Sequence, residues 1–180
     1  PPIVKLVAQV LAAVVVVVTV VCILLFRPVE ETYRNIKIYK IEGTSEIIRN
    51  NESLEAYEQM SLKNNDEIVV SDESNLILIL DNDKYICLDE NTKIKLISSE
   101  KDSSKTVIEL KEGKIIGEVK EKLKDGETFE VETPNSVMAI RGTTFSVEVD
   151  EETEEYEVTY QVVDGVIEVL IFDQTTGSTK

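Results

Sequence analysis

An all-β domain carried behind one transmembrane helix is the architecture this sequence predicts, on three observations. A charge-free apolar run occupies residues 6–26. Beyond it, about ten short stretches of alternating or β-branched residues recur between turn-forming Asn, Asp and Gly, and no stretch carries the periodicity of an amphipathic helix. The 180 residues include seven Gly and four Pro, room for one ordinary domain once the anchor is subtracted. The strand spacing fits a solenoid, a jelly roll or a sandwich.

The run Leu6–Phe26 is interrupted only by Gln9 and Thr19. Its 21 residues, as a helix, span roughly 31 Å, the thickness of a hydrocarbon core. Lys5 and Arg27 bracket it and Pro28 ends it. A cleaved signal peptide has a shorter apolar region and a small-residue cleavage site, which the ILLFRP exit lacks. We therefore expect a retained anchor within residues 1–27, a juxtamembrane linker over 28–35 and a domain over 36–172. The large acidic body beyond the helix suits placement outside the cell membrane; the flanking basic counts are nearly equal, so the positive-inside rule favours neither orientation.

Within the domain, Ile36–Ile41 has strand composition, and Gly43 separates it from a second strand near Ile47 and Ile48. Residues 50–59 are polar and read as loop. Strands are expected at Ile68–Val70, Leu76–Leu80 and Tyr85–Leu88, the last two joined by an Asp81-Asn82-Asp83 turn. Thr92, Ile94 and Leu96 alternate with lysines, one face buried and one wet. Val107–Leu110 and Ile115–Val119 flank Lys111-Glu112-Gly113, which reads as a hairpin connection. After the charged segment Lys120–Glu127, two alternating runs, Phe129-Val131-Thr133 and Phe145-Val147-Val149, surround a centre holding Pro134, Arg141 and Gly142. Tyr156–Val163 and Val166–Phe172 then read as a hairpin closed by Asp164-Gly165. Its register pairs Val162 with Ile167, Tyr160 with Val169 and Val158 with Ile171. The tail 173–180 has no core residue and is expected to fray.

Composition removes several chemistries. All 35 acids and 17 of the 19 bases lie at or beyond Glu30, and such an acidic body repels phosphate backbones, so no nucleic-acid partner is expected. The chain has no histidine, which removes Ser-His and Cys-His nucleophile schemes and most zinc sites. Its two cysteines, Cys22 in the apolar run and Cys87 in a strand, form no disulfide framework. Asp81, Asp83, Asp89 and Glu90 lack the glycine that a calcium loop requires, and turn chemistry accounts for them. We expect no catalytic residue, no cofactor and no metal. Arg141 sits between Val137, Met138, Ile140 and Phe145, a charge in an apolar neighbourhood; a guanidinium there can contact a ligand, but the favoured reading is a structural ion pair with Glu130, Glu132 or Glu148.

Four stretches fall in the order and spacing of a known family: Met60-Ser61-Leu62 through Ile68, Leu76–Asp83, Leu88–Thr92, and Val131–Phe145. On these residues, and most specifically on VETPNSVMAIRGTTFSV, the chain resembles the FecR domain from about Ile36 to Leu170. Asn65 stands where that family commonly has glycine. The resemblance implies a single-pass membrane protein with an extracytoplasmic β-rich domain; the absence of any phosphate-binding loop, nucleophile elbow or metal signature is the reason no enzymatic activity is expected. The resemblance also implies a role in transmembrane signalling, in some members relaying an outer-membrane signal to a sigma factor. The signature residues Thr133, Pro134, Arg141, Gly142, Thr143 and Phe145 are then a structural corner. Protein partners are expected, homo-oligomer formation stays open, and a scaffolding module of the cell envelope is the alternative function.

Overall fold

The structure is a computed structural model that describes residues 36–98, 105–120, 123, 126–152 and 155–172. The expected anchor, linker and tail lie outside the described residues, and among these no helix is long and apolar enough to cross a membrane. The described chain is all-β. Its strands are β1 (Ile36–Glu42), β2 (Ser45–Arg49), β3 (Glu52–Glu55), β4 (Glu67–Val70), β5 (Asn75–Leu80), β6 (Lys84–Leu88) and β7 (Lys93–Ser98). They continue as β8 (Lys105–Val119), β9 (Thr128–Thr133), β10 (Ser136–Ile140), β11 (Thr144–Glu152), β12 (Glu155–Asp164) and β13 (Ile167–Ile171).

These strands form one sheet bent into two leaves. The first leaf runs β1-β5-β6-β8-β11-β12 and is antiparallel throughout. The second runs β3-β2-β4-β7-β8-β9-β10-β13, with β8 and β9 the parallel pair. Strand β8 belongs to both. Residues 106–112 pair with β7 and residues 113–119 with β6 and β11. Alternate side chains of both leaves, including Ile38, Leu78, Ile86, Ile108, Val131 and Phe145, meet in a single buried cluster.

Three expectations need correction. Residues 52–55 are a strand, because Asn50 and Asn51 both adopt left-handed angles (φ 52° and 65°) and close a two-residue hairpin between Arg49 and Glu52. Lys111-Glu112-Gly113 is a bulge inside β8, not a hairpin: the register with β7 skips Lys111 while the strand continues. Asp164-Gly165 does not close a hairpin either. β12 pairs with β11, whereas β13 pairs with β10 in the other leaf. The two runs face inward as their alternation demands, but from opposite leaves.

Crossings between leaves share one device. Gly43 (φ 81°), between β1 and β2, faces Ser74, whose Oγ accepts from the Thr44 N–H at 2.9 Å. Gly113 (φ 83°) faces Thr92, whose Oγ1 accepts from the Lys114 N–H at 3.0 Å. Gly165 (φ 97°) faces Thr143 across the same kind of gap. At each place glycine admits the left-handed turn and a small hydroxyl residue fills the space its missing side chain leaves.

Candidate functional site

The signature stretch spans the end of β9, all of β10 and the entry to β11. The sequence marks it by Pro134 and Gly142, and the reason is local. Pro134 occupies the two-residue connection between the paired residues Thr133 and Ser136, where no ladder hydrogen bond is asked of it. Gly142 takes φ 77° where the chain leaves the second leaf for the first. The centre itself is a strand, β10, which the sequence reading passed over; its alternation of Ser136, Met138 and Ile140 inward was the available signal.

The connection ties the two leaves together. Thr133 Oγ1 lies 3.3 Å from the Ser136 carbonyl, which it reaches as donor, and within reach of the Ser136 hydroxyl. The Ser136 hydroxyl in turn contacts Tyr160 Oη from the other leaf. Asn135 Nδ2 donates to the Tyr156 carbonyl at 3.3 Å, and the Asn135 carbonyl accepts from the Phe172 N–H at 2.8 Å. Further on, the Thr143 carbonyl accepts from the Val119 N–H at 3.0 Å, and Phe145 is wholly buried against Gly117.

Arg141 departs from the expectation of a buried charge. It is exposed, and no ion pair holds it among the described residues. Glu130 pairs with Lys105 and Glu148 with Lys114, each at 3.1 Å. The alternation of β10 carries on to position 141: Ser136, Met138 and Ile140 are buried, and Arg141, next after Ile140, falls on the outward side. The structure places Thr133 and Pro134 at the start of β10 and Gly142, Thr143 and Phe145 beyond its far end, and leaves Arg141 at the surface.

The buried ion pair that sequence reading missed lies elsewhere. Asp66 is buried and receives Arg49 Nε at 2.8 Å, Arg49 Nη2 at 2.6 Å and the Lys63 N–H at 2.7 Å. Asn65 beside it takes φ 66°, the left-handed conformation that the family's usual glycine would supply. Asp66 holds the Arg49 guanidinium above its ordinary value, chiefly through the hydrogen bond.

Elsewhere the surface offers little chemistry. A groove of 320 Å³ on the first leaf is lined by Tyr39, Ile77, Tyr85, Cys87 and Ile116. Burial, then Asp89, pushes the Cys87 thiol up, so it stays protonated and is a weak nucleophile. An acidic cleft of 650 Å³ contains Asp89, Glu90, Glu112, Glu148 and Asp150. Among the described residues, no group of three or more potential ligands is arranged to hold a metal ion.

Comparison with known proteins agrees with the sequence resemblance. The family model described as FecR protein matches residues 66–168, more than half of the chain, and the chain belongs to that family. No curated protein matches it. Among solved structures, it is similar to two crystal structures, at 2.50 and 1.65 Å resolution, described as a "putative anti-sigma factor" from Parabacteroides distasonis ATCC 8503. Identity is 18% in each, with TM-scores of 0.41 and 0.40 and 63% of this chain covered. The chain spans 57% of the length of each of those structures.

Proposed function

We propose that this chain is a membrane-anchored, extracytoplasmic regulatory module that senses or relays a signal through protein contacts and performs no catalysis. The observation that carries the reading is membership of the FecR family over residues 66–168. The 21-residue apolar run bracketed by Lys5 and Arg27 supplies the anchor, and the domain from residue 36 onward stands outside. An external partner binds the β-domain. The consequence inside the cell is a change in helix association or in proteolysis, because one helix has no second state of its own. Thr133, Pro134, Gly142, Thr143 and Phe145 hold the corners in this reading, while Arg141, exposed beside them, is free to meet the partner.

Affinity capture from membranes of the source cell, with the intact protein, tests this. Co-purification of a cytoplasmic regulator is expected; recovery of wall or envelope components alone would favour a scaffolding module. Arg141→Ala sharpens the test. An exposed residue without an ion pair changes stability by no more than about 0.5 kcal/mol on truncation. The variant should therefore melt like the parent yet recover less partner; a large drop in melting temperature would show that Arg141 is structural after all.

A further inference from the structure

The two ends of the bent sheet are finished differently. At one end, residues 56–62 lie along the outer edge of β1: the Ile38 N–H donates to the Met60 carbonyl at 3.0 Å and the Leu62 N–H to the Ile36 carbonyl at 2.9 Å. That segment buries its own Ala56, Met60 and Leu62 and closes the core over Ile36 and Ile38. At the other end the last strands are β12 and β13, and among the described residues no strand pairs with the outer edge of either. The inward residues of the preceding strands, Phe145 and Val147 in β11 and Met138 in β10, are wholly buried. One strand further out, Val158, Tyr160, Ile167 and Val169 are only partly covered, and Val162 and Ile171 stand 39% and 52% exposed. The core is cut open there.

Such an end is normally closed by a polar layer, and free strand edges are normally blunted with lysine, proline or a covering segment. β12 and β13 contain neither lysine nor proline. What fits the opening is set by composition. Residues 173–180, DQTTGSTK, offer no apolar side chain for the row Val158, Tyr160 and Val162. A second copy would set one acidic β12 against another: the strand carries Glu157 and Asp164, and no lysine or arginine occurs from residue 142 to 179. Like charges across strands oppose pairing. An extended segment with apolar residues at every second position and lysine or arginine between them matches both requirements, extending the open core on one face and neutralising the acidic face on the other.

We propose that the free edge of β12 is a docking edge that adds one strand from a partner protein, an extended segment alternating apolar and basic residues. β12 is favoured over β13 because its ten residues offer a longer ladder than five. This places the contact of the protein-binding module described above and rests on that reading.

The test uses the 180-residue chain in non-ionic detergent with two capped decapeptides, one of alternating lysine and valine and one of alternating glutamate and valine. Hydrogen exchange is followed along β12. The lysine peptide is expected to bind and to slow exchange within residues 155–164 about tenfold or more, as pairing converts free amides into ladder amides; the glutamate peptide should do neither. Val163→Lys, at a site 73% exposed in β12, should weaken the lysine peptide by about threefold to fivefold through cross-strand repulsion and leave melting unchanged. Failure of the lysine peptide to bind overturns the proposal. So does binding without slowed exchange in β12, the mark of diffuse counterion attraction. Protection of β12 without peptide, accompanied by a doubled mass, assigns the edge to a second copy and also overturns it. Any of these results leaves the regulatory reading standing, since the membrane capture experiment judges that separately.

Discussion

At Gly117 a missing side chain sets how closely β8 and β11 approach. A Cβ there would lie 2.2 Å from Cζ of Phe145, the residue paired opposite. Gly117→Ala forces the largest buried ring of β11 to move, at a cost of about 1–3 kcal/mol, read as a lower urea midpoint; Phe145→Leu added to it should return part of the loss. The hydroxyls at the crossings separate by partner. Thr92 Oγ1 both accepts from the Lys114 N–H and donates to the Lys114 carbonyl, at 3.0 and 3.1 Å, whereas Thr143 Oγ1 is buried with no partner. Thr92→Val should therefore cost about 1–3 kcal/mol, and Thr143→Val should be neutral or stabilising, the two compared by chemical denaturation. Sequence shows that each of these residues is small and lies at a turn. It does not show which glycine each one fills, because Thr92 and Gly113 are brought together only by the sheet.

Element by element, what the sequence declares is which face of a strand is buried, and what it withholds is the neighbour. Leu76–Leu80 and Tyr85–Leu88 were legible as strands with their Asp-Asn-Asp turn, and Leu80 indeed pairs with Lys84 across it. The same logic failed at Asp164-Gly165. Val162 and Ile167 satisfy a hairpin register and a leaf crossing equally well, since both demand that the two side chains point to the core. β8 failed for a related reason: glycine at positive φ serves a bulge as readily as a turn, and only pairing with β7, β6 and β11 keeps the strand running. The short β4, paired with β2 and β7, is entered through a residue that adds a further tie to β2. Asp66, just before it, anchors Arg49 from β2 through two hydrogen bonds and the Lys63 N–H through a third. Asp66→Ala leaves the guanidinium partly buried without its counter-charge and should cost about 3 kcal/mol or more, measured by thermal unfolding. Replacing both members with apolar residues should recover much of that loss.

For the molecule as a whole, acidity sets the response to pH. Glu67 on β4 accepts from Lys111 Nζ at 2.7 Å, a bond across the ladder from β4 through β7 to the bulge in β8, and Lys93 stands 3.7 Å away. The Lys111 hydrogen bond is the main cause that holds the Glu67 carboxyl below its ordinary value, against a smaller opposing effect of burial. A carboxylate depressed in the folded state stabilises above its unfolded pKa and loses that contribution as pH falls through the folded one. The stability difference between the parent and Lys111→Met, present at neutral pH, should shrink toward zero as Glu67 protonates; a difference that persists into acid would assign Lys111 a packing role. Overall composition and alternation made the all-β class and the single core readable, while the family came from the resemblance carried by VETPNSVMAIRGTTFSV. The exposure of Arg141 was missed because the stretch 136–140 was not read as a strand; once it is, the alternation that buries Met138 and Ile140 turns position 141 outward.

The continuity of β8 also bears on how the chain is made. Its pairing partners come from both sides of it in the sequence: β6 and β7 precede it, β9 and β11 follow. As the polypeptide leaves the ribosome, the first seven strands can lay down the outer parts of both leaves, but β6 and β7 keep their inner edges bare until residues 105–119 have emerged. A nascent chain halted just short of Lys105 should accordingly remain protease-sensitive in β6 and β7, and one released past Glu152, with β11 in place, should acquire protection there in a single step.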